Sequence, residues 1–366
     1  MKIAIVHDFL HQYGGAERVV ESLHDVFPEA PVFTSLFLKD RLPPVFQAMD
    51  IRTTFMQRLP FLHRHFKSYL PLYPFAMESL DLRGFDVILS SSSAFAKGVR
   101  VPAGALHVCY CHTPMRYVWN REDYLAKEAI PGVIKGALRP VLWALKRWDI
   151  RTAGRVNHFV AVSEYIRERI RRAYGRDSTV IYPPVKTGLY ALSAQVGDYF
   201  LIVSRLAAYK RIDLAIEACN RLRAPLWIVG EGTHGAALRR AAGPTVRFLG
   251  RLPQEELSKV LSGCRAFLFP GEEDFGIAPV EAMAAGRPVV AFGAGGALET
   301  VVEGETGLFF RAPTPESLLE ALRRLDRTSF DPLRCRRRAE MFDKSAFQEK
   351  IRAFVEAAFA GRREKL

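Results

Sequence analysis

At 366 residues the chain is longer than one typical hydrophobic core, so two domains are expected. Its 49% hydrophobic and 25% charged residues suit an ordinary folded protein, and no apolar run approaches the roughly 20 residues that cross a bilayer. A net charge of +13 calls for an acidic partner, but zinc-finger spacing, RNP-like aromatics and basic-region heptads are missing, which argues against nucleic acid.

Lys2 to Val6 reads as a first strand, and its apolar core is too short for a secretion signal, so a cytoplasmic protein is expected. His7-Asp8 follow, and Gly14-Gly15 precede an amphipathic helix over Ala16 to Phe27. A glycine pair there lets backbone approach a phosphate or sugar closely. Two later segments interleave cations with aromatic rings. Phe55 to Ala76 carries Arg58, His63, Arg64, His65 and Lys67 among Phe61, Phe66, Tyr69 and Tyr73. Val133 to Arg155 carries Lys135, Arg139, Lys146, Arg147, Arg151 and Arg155 with Trp143 and Trp148. Such mixtures suit an anionic membrane surface, where each nearby Lys or Arg contributes about 1 kcal/mol; they also suit solvated helix faces with aromatic core contacts.

Val87 to Ser90, His107 to Tyr110 and His158 to Val162 read as further strands, and Ser163 to Tyr174 as a helix. Cys109-Tyr110-Cys111-His112 has the look of a metal cluster, but no second Cys/His pair stands at a zinc-site spacing. Five cysteines, an odd number, also argue against a disulfide framework, so buried structural thiols are expected. His112 ends its strand, where a histidine can donate or shuttle a proton, although a lone histidine is more often structural. Tyr182-Pro183-Pro184-Val185 then breaks the pattern and marks a boundary.

The second half restarts with strands at Phe200 to Val203, Leu226 to Val229, Val246 to Leu249, Ala266 to Phe269 and Pro288 to Ala291. Helices are expected at Ile212 to Leu222 and Pro253 to Ser262. Alternation of this kind implies parallel sheets with helices on both faces, and ligands that collect just beyond the strands' carboxyl ends. Arg205 and Lys210 stand there, two cations placed to bind a diphosphate at the start of a helix. Gly230-Glu231-Gly232-Thr233-His234-Gly235 has the GxGxxG spacing, which brings a dinucleotide-dependent dehydrogenase to mind. No acidic residue ends the next strand, however; Arg251 follows it instead, and the segment reads as a nucleotide-contacting turn. Past Pro270-Gly271, Glu273 lies on a loop and Glu281 just inside a short helix over Ala278 to Ala285, with Pro279 in its first turn and Gly286 as a left-handed stop. Both carboxylates flank a helix N-terminus suited to a phosphorylated, polyhydroxylated ligand. Ser345 to Ala360 reads as a last amphipathic helix with a basic tail.

Over nearly its whole length the chain resembles the family 4 retaining glycosyltransferases of the GT-B fold. Glu273 and Glu281 match that family's pair of glutamates seven residues apart, Arg205 and Lys210 its basic pair, and Gly230 to Gly232 its glycine turn. Gly14, Gly15 and His112 match the glycine pair and sugar-facing histidine of its first domain. The resemblance implies an α/β protein of two facing Rossmann-like, doubly wound domains with an interdomain cleft. Residues 1–184 would be the acceptor-binding domain, 185–344 the nucleotide-sugar domain, and 345–366 a C-terminal helix packing back on the first.

It also implies roles. Glu281 would bind the ribose hydroxyls and Glu273 the donor sugar, aided by backbone N–H groups around Phe275, Gly276 and Ile277. Arg205 and Lys210 would hold the diphosphate, His112 would contact and position the sugar, and Gly14, Gly15, Gly230, Glu231, Gly232 and Arg251 would complete the donor-binding set. No metal and no cofactor beyond the nucleotide-sugar is expected, and retention would proceed by same-face attack. Stretches around Gly14 to Glu17, Ser90 to Lys97 and Cys109 to Tyr117 most resemble bacterial surface-polysaccharide transferases, often mannosyltransferases. The expected reaction is therefore transfer of mannose from GDP-mannose to a lipid-linked or polysaccharide acceptor, by an enzyme peripheral to the inner face of the cytoplasmic membrane. UDP-glucose or another UDP-sugar is the alternative donor. A GT-B epimerase or phosphorylase and a non-catalytic assembly partner are the alternative functions.

Overall fold

The computed structural model describes residues 1–62, 66–119 and 132–363. It divides into two compact units, Met1–Pro184 together with the chain from Phe347 on, and Val185–Ala346.

The first unit is built on a seven-stranded parallel sheet: β1 (Ile3–His7), β2 (Val32–Thr34), β3 (Ile51–Thr53), β4 (Val87–Ser92), β5 (Leu106–Cys111), β6 (His158–Ala161) and β7 (Ser178–Val180), in the order β3-β2-β1-β4-β5-β6-β7. Side chains alternate across a strand, and both faces of this sheet are covered. Ile3 and Ile5 therefore join a core with Val19 and Leu23 of helix Gly15–Val26 and with Phe159 and Ile166. Ala4 and Val6 point the other way, into a second core with Phe95, Leu145 and Trp148. The final helix, Lys344–Arg363, adds Phe347, Ile351 and Val355 to the first of these cores. Their spacing of four residues puts all three on one stripe.

The second unit has six parallel strands: β8 (Phe200–Val203), β9 (Leu226–Val229), β10 (Val246–Gly250), β11 (Ala266–Phe269), β12 (Val289–Phe292) and β13 (Gly307–Phe310), ordered β10-β9-β8-β11-β12-β13. Strands β2, β3, β7 and β13 are absent from the sequence reading; the first three are only three residues long, too short to display a period of two. A helix follows the Gly230 to Gly235 turn as expected, at Gly235–Ala241, whereas the helices Pro315–Leu325 and Pro332–Glu340 are absent from the sequence reading. The predicted helix over Ala278 to Ala285 forms as Ile277–Ala284, and Gly286 adopts a left-handed φ of 76°.

The two cation-and-aromatic segments are only partly surface. Trp148 is 8% exposed and donates its indole N–H to Glu78 at 3.0 Å. Arg155 pairs with the same carboxylate at 2.9 Å and donates to the Gly98 carbonyl. These two residues hold the first unit together and are not available to a membrane. On the same helix, Gly132–Ala153, Arg139, Trp143, Lys146, Arg147 and Ile150 face solvent, with Trp143 61% exposed and the Arg147 guanidinium 4.8 Å above its ring. In the earlier segment Tyr73 is buried while Phe55, Phe61 and Phe75 are exposed. His63, Arg64 and His65 lie outside the described residues, as do the side chains of Lys67 and Lys135. Among the described residues no helix is long and apolar enough to cross a membrane.

Candidate functional site

In a doubly wound sheet the strand order reverses at one point, and neighbouring loops part there to leave a crevice at the carboxyl ends. In the second unit that point lies between β8 and β11. The loop after β8 carries Arg205 and Lys210, and the loop after β11 carries Glu273. The fold thus brings together residues more than sixty positions apart: the Lys210 ammonium forms an ion pair with the Glu273 carboxylate, and both side chains are largely buried. Tyr209 links the two cations. Its hydroxyl accepts from the Arg205 guanidinium at 2.9 Å, and its ring lies 5.1 Å below the Lys210 nitrogen. Nothing in the sequence pattern singled out Tyr209.

The glycine turn is stitched to the same loop. Leu206 donates its N–H to the Glu231 carbonyl at 3.0 Å, and His234 donates to the Leu206 carbonyl at 2.9 Å. A Cβ on Gly230 would lie 2.0 Å from the Ser204 oxygen, and one on Gly232 would lie 2.3 Å from the Leu206 oxygen. Backbone-on-backbone packing therefore accounts for both glycines. Arg251 pairs with Glu231 at 3.4 Å, both well exposed, an arrangement worth at most about 1 kcal/mol.

Gly276, at φ 91°, is the N-cap of helix Ile277–Ala284 and itself brings no side chain to the first N–H groups. Glu281, in the second turn, is only 4% exposed. The preceding loop is clamped from outside. Gly296 donates its N–H to the Glu273 carbonyl at 2.8 Å, and a Cβ there would lie 2.3 Å from the Phe275 Cα. Phe275 is buried with its ring edge on Phe342. Behind Gly296, Arg338 donates to the last carbonyls of helix Ala297–Thr300, those of Glu299 and Thr300. The sequence shows a Gly-Gly pair at Gly295-Gly296 and an arginine at Arg338, but only the folded chain shows what they hold.

In the first unit the reversal lies between β1 and β4. His7 and Asp8 end β1, Ser91 and Ser92 end β4, and His112 follows β5. Asp8, 1% exposed, accepts the N–H groups of Ser93 and Ala94 on Oδ2 (2.6 and 3.1 Å) and those of Phe95 and Ala96 on Oδ1 (2.7 and 2.6 Å). Gly14 caps helix Gly15–Val26, and its N–H donates to Glu17 Oε2 at 2.9 Å. Glu17 Oε1 faces His7 Nε2 at 4.0 Å, and Ser91 Oγ bridges His7 Nδ1 (3.2 Å) and His112 Nε2 (2.8 Å). Burial by itself would lower the His7 pKa, but the Glu17 carboxylate outweighs it and the value is raised. His112 goes the other way: burial first, then the charges of His7 and Arg116, push its pKa down to about 3. An imidazole so depressed is neutral near pH 7, and a neutral ring offers one N–H donor and one bare nitrogen acceptor.

One more feature lies outside the sequence reading. Lys97, 2% exposed, pairs with fully buried Asp149 at 2.7 Å, and its ammonium lies over the rings of Trp148 and Tyr174. Trp119 and Tyr174 donate to the second Asp149 oxygen at 2.8 and 2.9 Å, so this buried pair is also hydrogen-bonded. Cys109 and Cys111 are buried and free, and the hydrogen bond from Cys109 together with burial pushes the Cys111 thiol up. Among the described residues no three His, Cys, Asp or Glu side chains group as a metal set.

Comparison with known proteins agrees with this layout. Residues 13–189 match the domain described as Glycosyltransferase Family 4, and residues 197–327 match Glycosyl transferases group 1. Glycogen synthase of Pseudomonas savastanoi is 26% identical over 283 residues, covering 73% of this chain and 54% of the relative. The chain thus spans about half the length of the curated relatives it first matches. A GDP-mannose-dependent monoacylated alpha-(1-6)-phosphatidylinositol monomannoside mannosyltransferase of Corynebacterium glutamicum is 36% identical over 135 residues, 32% of this chain and 35% of the relative. Among solved structures, Anabaena HepE in complex with UDP superposes with a TM-score of 0.74 at 19% identity, covering 98% of this chain and 100% of that one. With one matched domain on each doubly wound sheet, the chain carries a Glycosyltransferase Family 4 domain and a Glycosyl transferases group 1 domain in the GT-B fold.

Proposed function

We propose that the protein is a retaining glycosyltransferase that moves a hexose, mannose from GDP-mannose as first choice, onto a lipid-linked or polysaccharide acceptor in surface-polysaccharide assembly. The observation that carries this is the Lys210–Glu273 ion pair at the strand reversal of the second unit, beside Arg205. Such a pair offers an ammonium to a diphosphate and a carboxylate to sugar hydroxyls at adjacent points. In the reaction the bond from the anomeric carbon to the diphosphate oxygen breaks, and the acceptor hydroxyl oxygen bonds to that carbon on the same face. The acceptor's proton passes to the departing phosphate. Arg205 and Lys210 neutralise the charge that grows there, and removing one such donor typically costs about 100-fold to 1,000-fold in rate. With these two side chains supplying the positive charge, the transfer is assigned as metal-independent. Glu281 takes the ribose hydroxyls, Glu273 and the N–H groups at Phe275 to Ile277 take the sugar, and His112 donates to a sugar hydroxyl as a neutral ring.

The Corynebacterium relative's GDP-mannose dependence favours that donor, whereas the UDP bound by HepE makes a UDP-sugar the second choice. The solvent face of helix Gly132–Ala153, with Arg139, Lys146, Arg147 and exposed Trp143, supports a peripheral seat on the anionic inner face of the cytoplasmic membrane. Purified protein is to be offered GDP-mannose and UDP-glucose with polyprenyl-diphosphate-linked acceptors, with and without EDTA, while nucleotide release is followed. Acceptor-dependent release that survives EDTA is expected. No turnover with any combination refutes the proposal, and conversion of donor without acceptor points to an epimerase or phosphorylase.

A further inference from the structure

We infer that Glu17, His7 and Ser91 are positioning residues that lock His112 in the neutral tautomer protonated at Nδ1, making it a hydrogen-bond donor to a ligand hydroxyl and neither acid nor base. The role given to the ligand rests on the glycosyltransferase reading; the tautomer does not. All four side chains belong to the first unit and come from β1, the helix after it, β4 and the end of β5.

The proton positions follow from what each atom faces. His7 Nδ1 lies 3.0 Å from the Ser91 carbonyl, and a carbonyl only accepts, so Nδ1 carries a hydrogen. His7 Nε2 faces the Glu17 carboxylate, which also only accepts. Both ring nitrogens therefore face acceptors, the arrangement that holds an imidazolium. Glu17 cannot easily turn away, because its other oxygen takes the Gly14 N–H that starts the helix. Asp8, the other carboxylate near His7, has both oxygens occupied by the backbone of Ser93 to Ala96.

Ser91 Oγ thus meets an N–H on its His7 side and has its own hydrogen to give on the other. The recipient is His112 Nε2 at 2.8 Å. A nitrogen that accepts carries no proton, so in the neutral ring the proton sits on Nδ1. Burial and the two positive neighbours, His7 and Arg116, keep a second proton off. The Ser91 carbonyl, by holding the His7 Nδ1 hydrogen, thereby sets through the Ser91 hydroxyl which nitrogen of His112 can donate, while the Glu17 carboxylate that takes the Gly14 N–H faces the second His7 proton.

Full-length protein carrying ¹⁵N-labelled histidine tests this by long-range ¹H–¹⁵N correlation from about pH 5.5 to 8. The expected pattern is a protonated Nδ1 and bare Nε2 on His112 throughout, with His7 protonated on both nitrogens at the acid end. Ser91→Ala should release the lock, so that Nε2–H appears on His112, and kcat should fall about tenfold, the most that one neutral hydrogen bond ordinarily supplies. Ser91→Thr should restore both. Glu17→Gln should lower the pH at which His7 loses its second proton. A wild-type His112 protonated at Nε2, or an unchanged pattern in Ser91→Ala, overturns the inference. Because the spectrum needs no turnover, it stands or falls separately from the transferase assay.

Discussion

Replacing Asp8 by Asn changes one atom and tests how the end of β1 is built. The carboxylate accepts four backbone N–H groups, two on each oxygen, from Ser93 to Ala96. An asparagine keeps one oxygen and therefore two of these bonds. Its amide group turns two donors toward two further donors, leaving a pair of buried N–H groups unpaired. Each such group costs about 1–3 kcal/mol, so the loss should be about 4 kcal/mol. That is a large part of the roughly 5–15 kcal/mol by which a domain is stable. For a unit of this size it corresponds to a fall in Tm of about 8–16 °C. The damage should spread, because the same turn leads into Lys97, held by Asp149, and into Gly98, where a Cβ would lie 2.2 Å from the Trp148 ring. Thermal unfolding followed by near-ultraviolet circular dichroism reads the first unit through its buried aromatics. A variant that melts within about 2 °C of the parent would show that these four bonds do not carry the end of the strand.

Further outcomes follow from the same geometry. Lys210→Ala and Arg205→Ala should each lower kcat by about 100-fold or more while the protein stays folded, as single-turnover and melting measurements on the same samples would show. Gly296→Ala drives a methyl group into the Phe275 backbone and should abolish the donor-induced rise in Tm. His107 is buried, bonded to Ser90 Oγ, and pushed down to about 4 by burial. Its folded pKa lies below the unfolded value of 6.5, so its contribution is whole above 6.5 and lost as pH falls toward 4. His107→Gln should therefore flatten the stability slope by about 1.4 kcal/mol per pH unit in that window, and urea midpoints with equal slopes would refute this. His7 has the opposite sign, its contribution being present below 6.5 and lost as pH rises through its raised value. Neutralising Arg139, Lys146 and Arg147 should weaken binding to anionic vesicles by about 3 kcal/mol, or about 100-fold, and unchanged binding refutes the membrane face.

Much of this was legible in the chain itself. Strands such as Phe200–Val203 and Ala266–Phe269 show as short apolar runs because both faces of a parallel sheet are covered. The rule that ligands gather beyond strand ends was then enough to pick out Arg205, Lys210, Glu273 and His112 by position. Glu273 and Glu281 are separated by a loop-to-helix junction that glycine and proline mark in plain sight. What the sequence could not decide is pairing. Lys210 meets Glu273 only because β8 and β11 are neighbours in the sheet, and His112 meets Ser91 only because β5 lies beside β4. Protonation belongs to the same class. His7 and His112 are the same side chain with the same intrinsic pKa; burial lowers both, but His7 faces the Glu17 carboxylate and is raised, while His112 has only the charges of His7 and Arg116 beside it and stays low. The sequence by itself determined which residue types stand at strand ends, since local pattern needs only neighbours along the chain. The tertiary structure alone decided which of them touch and what charge each carries, since strand order and burial are set by contacts between distant segments.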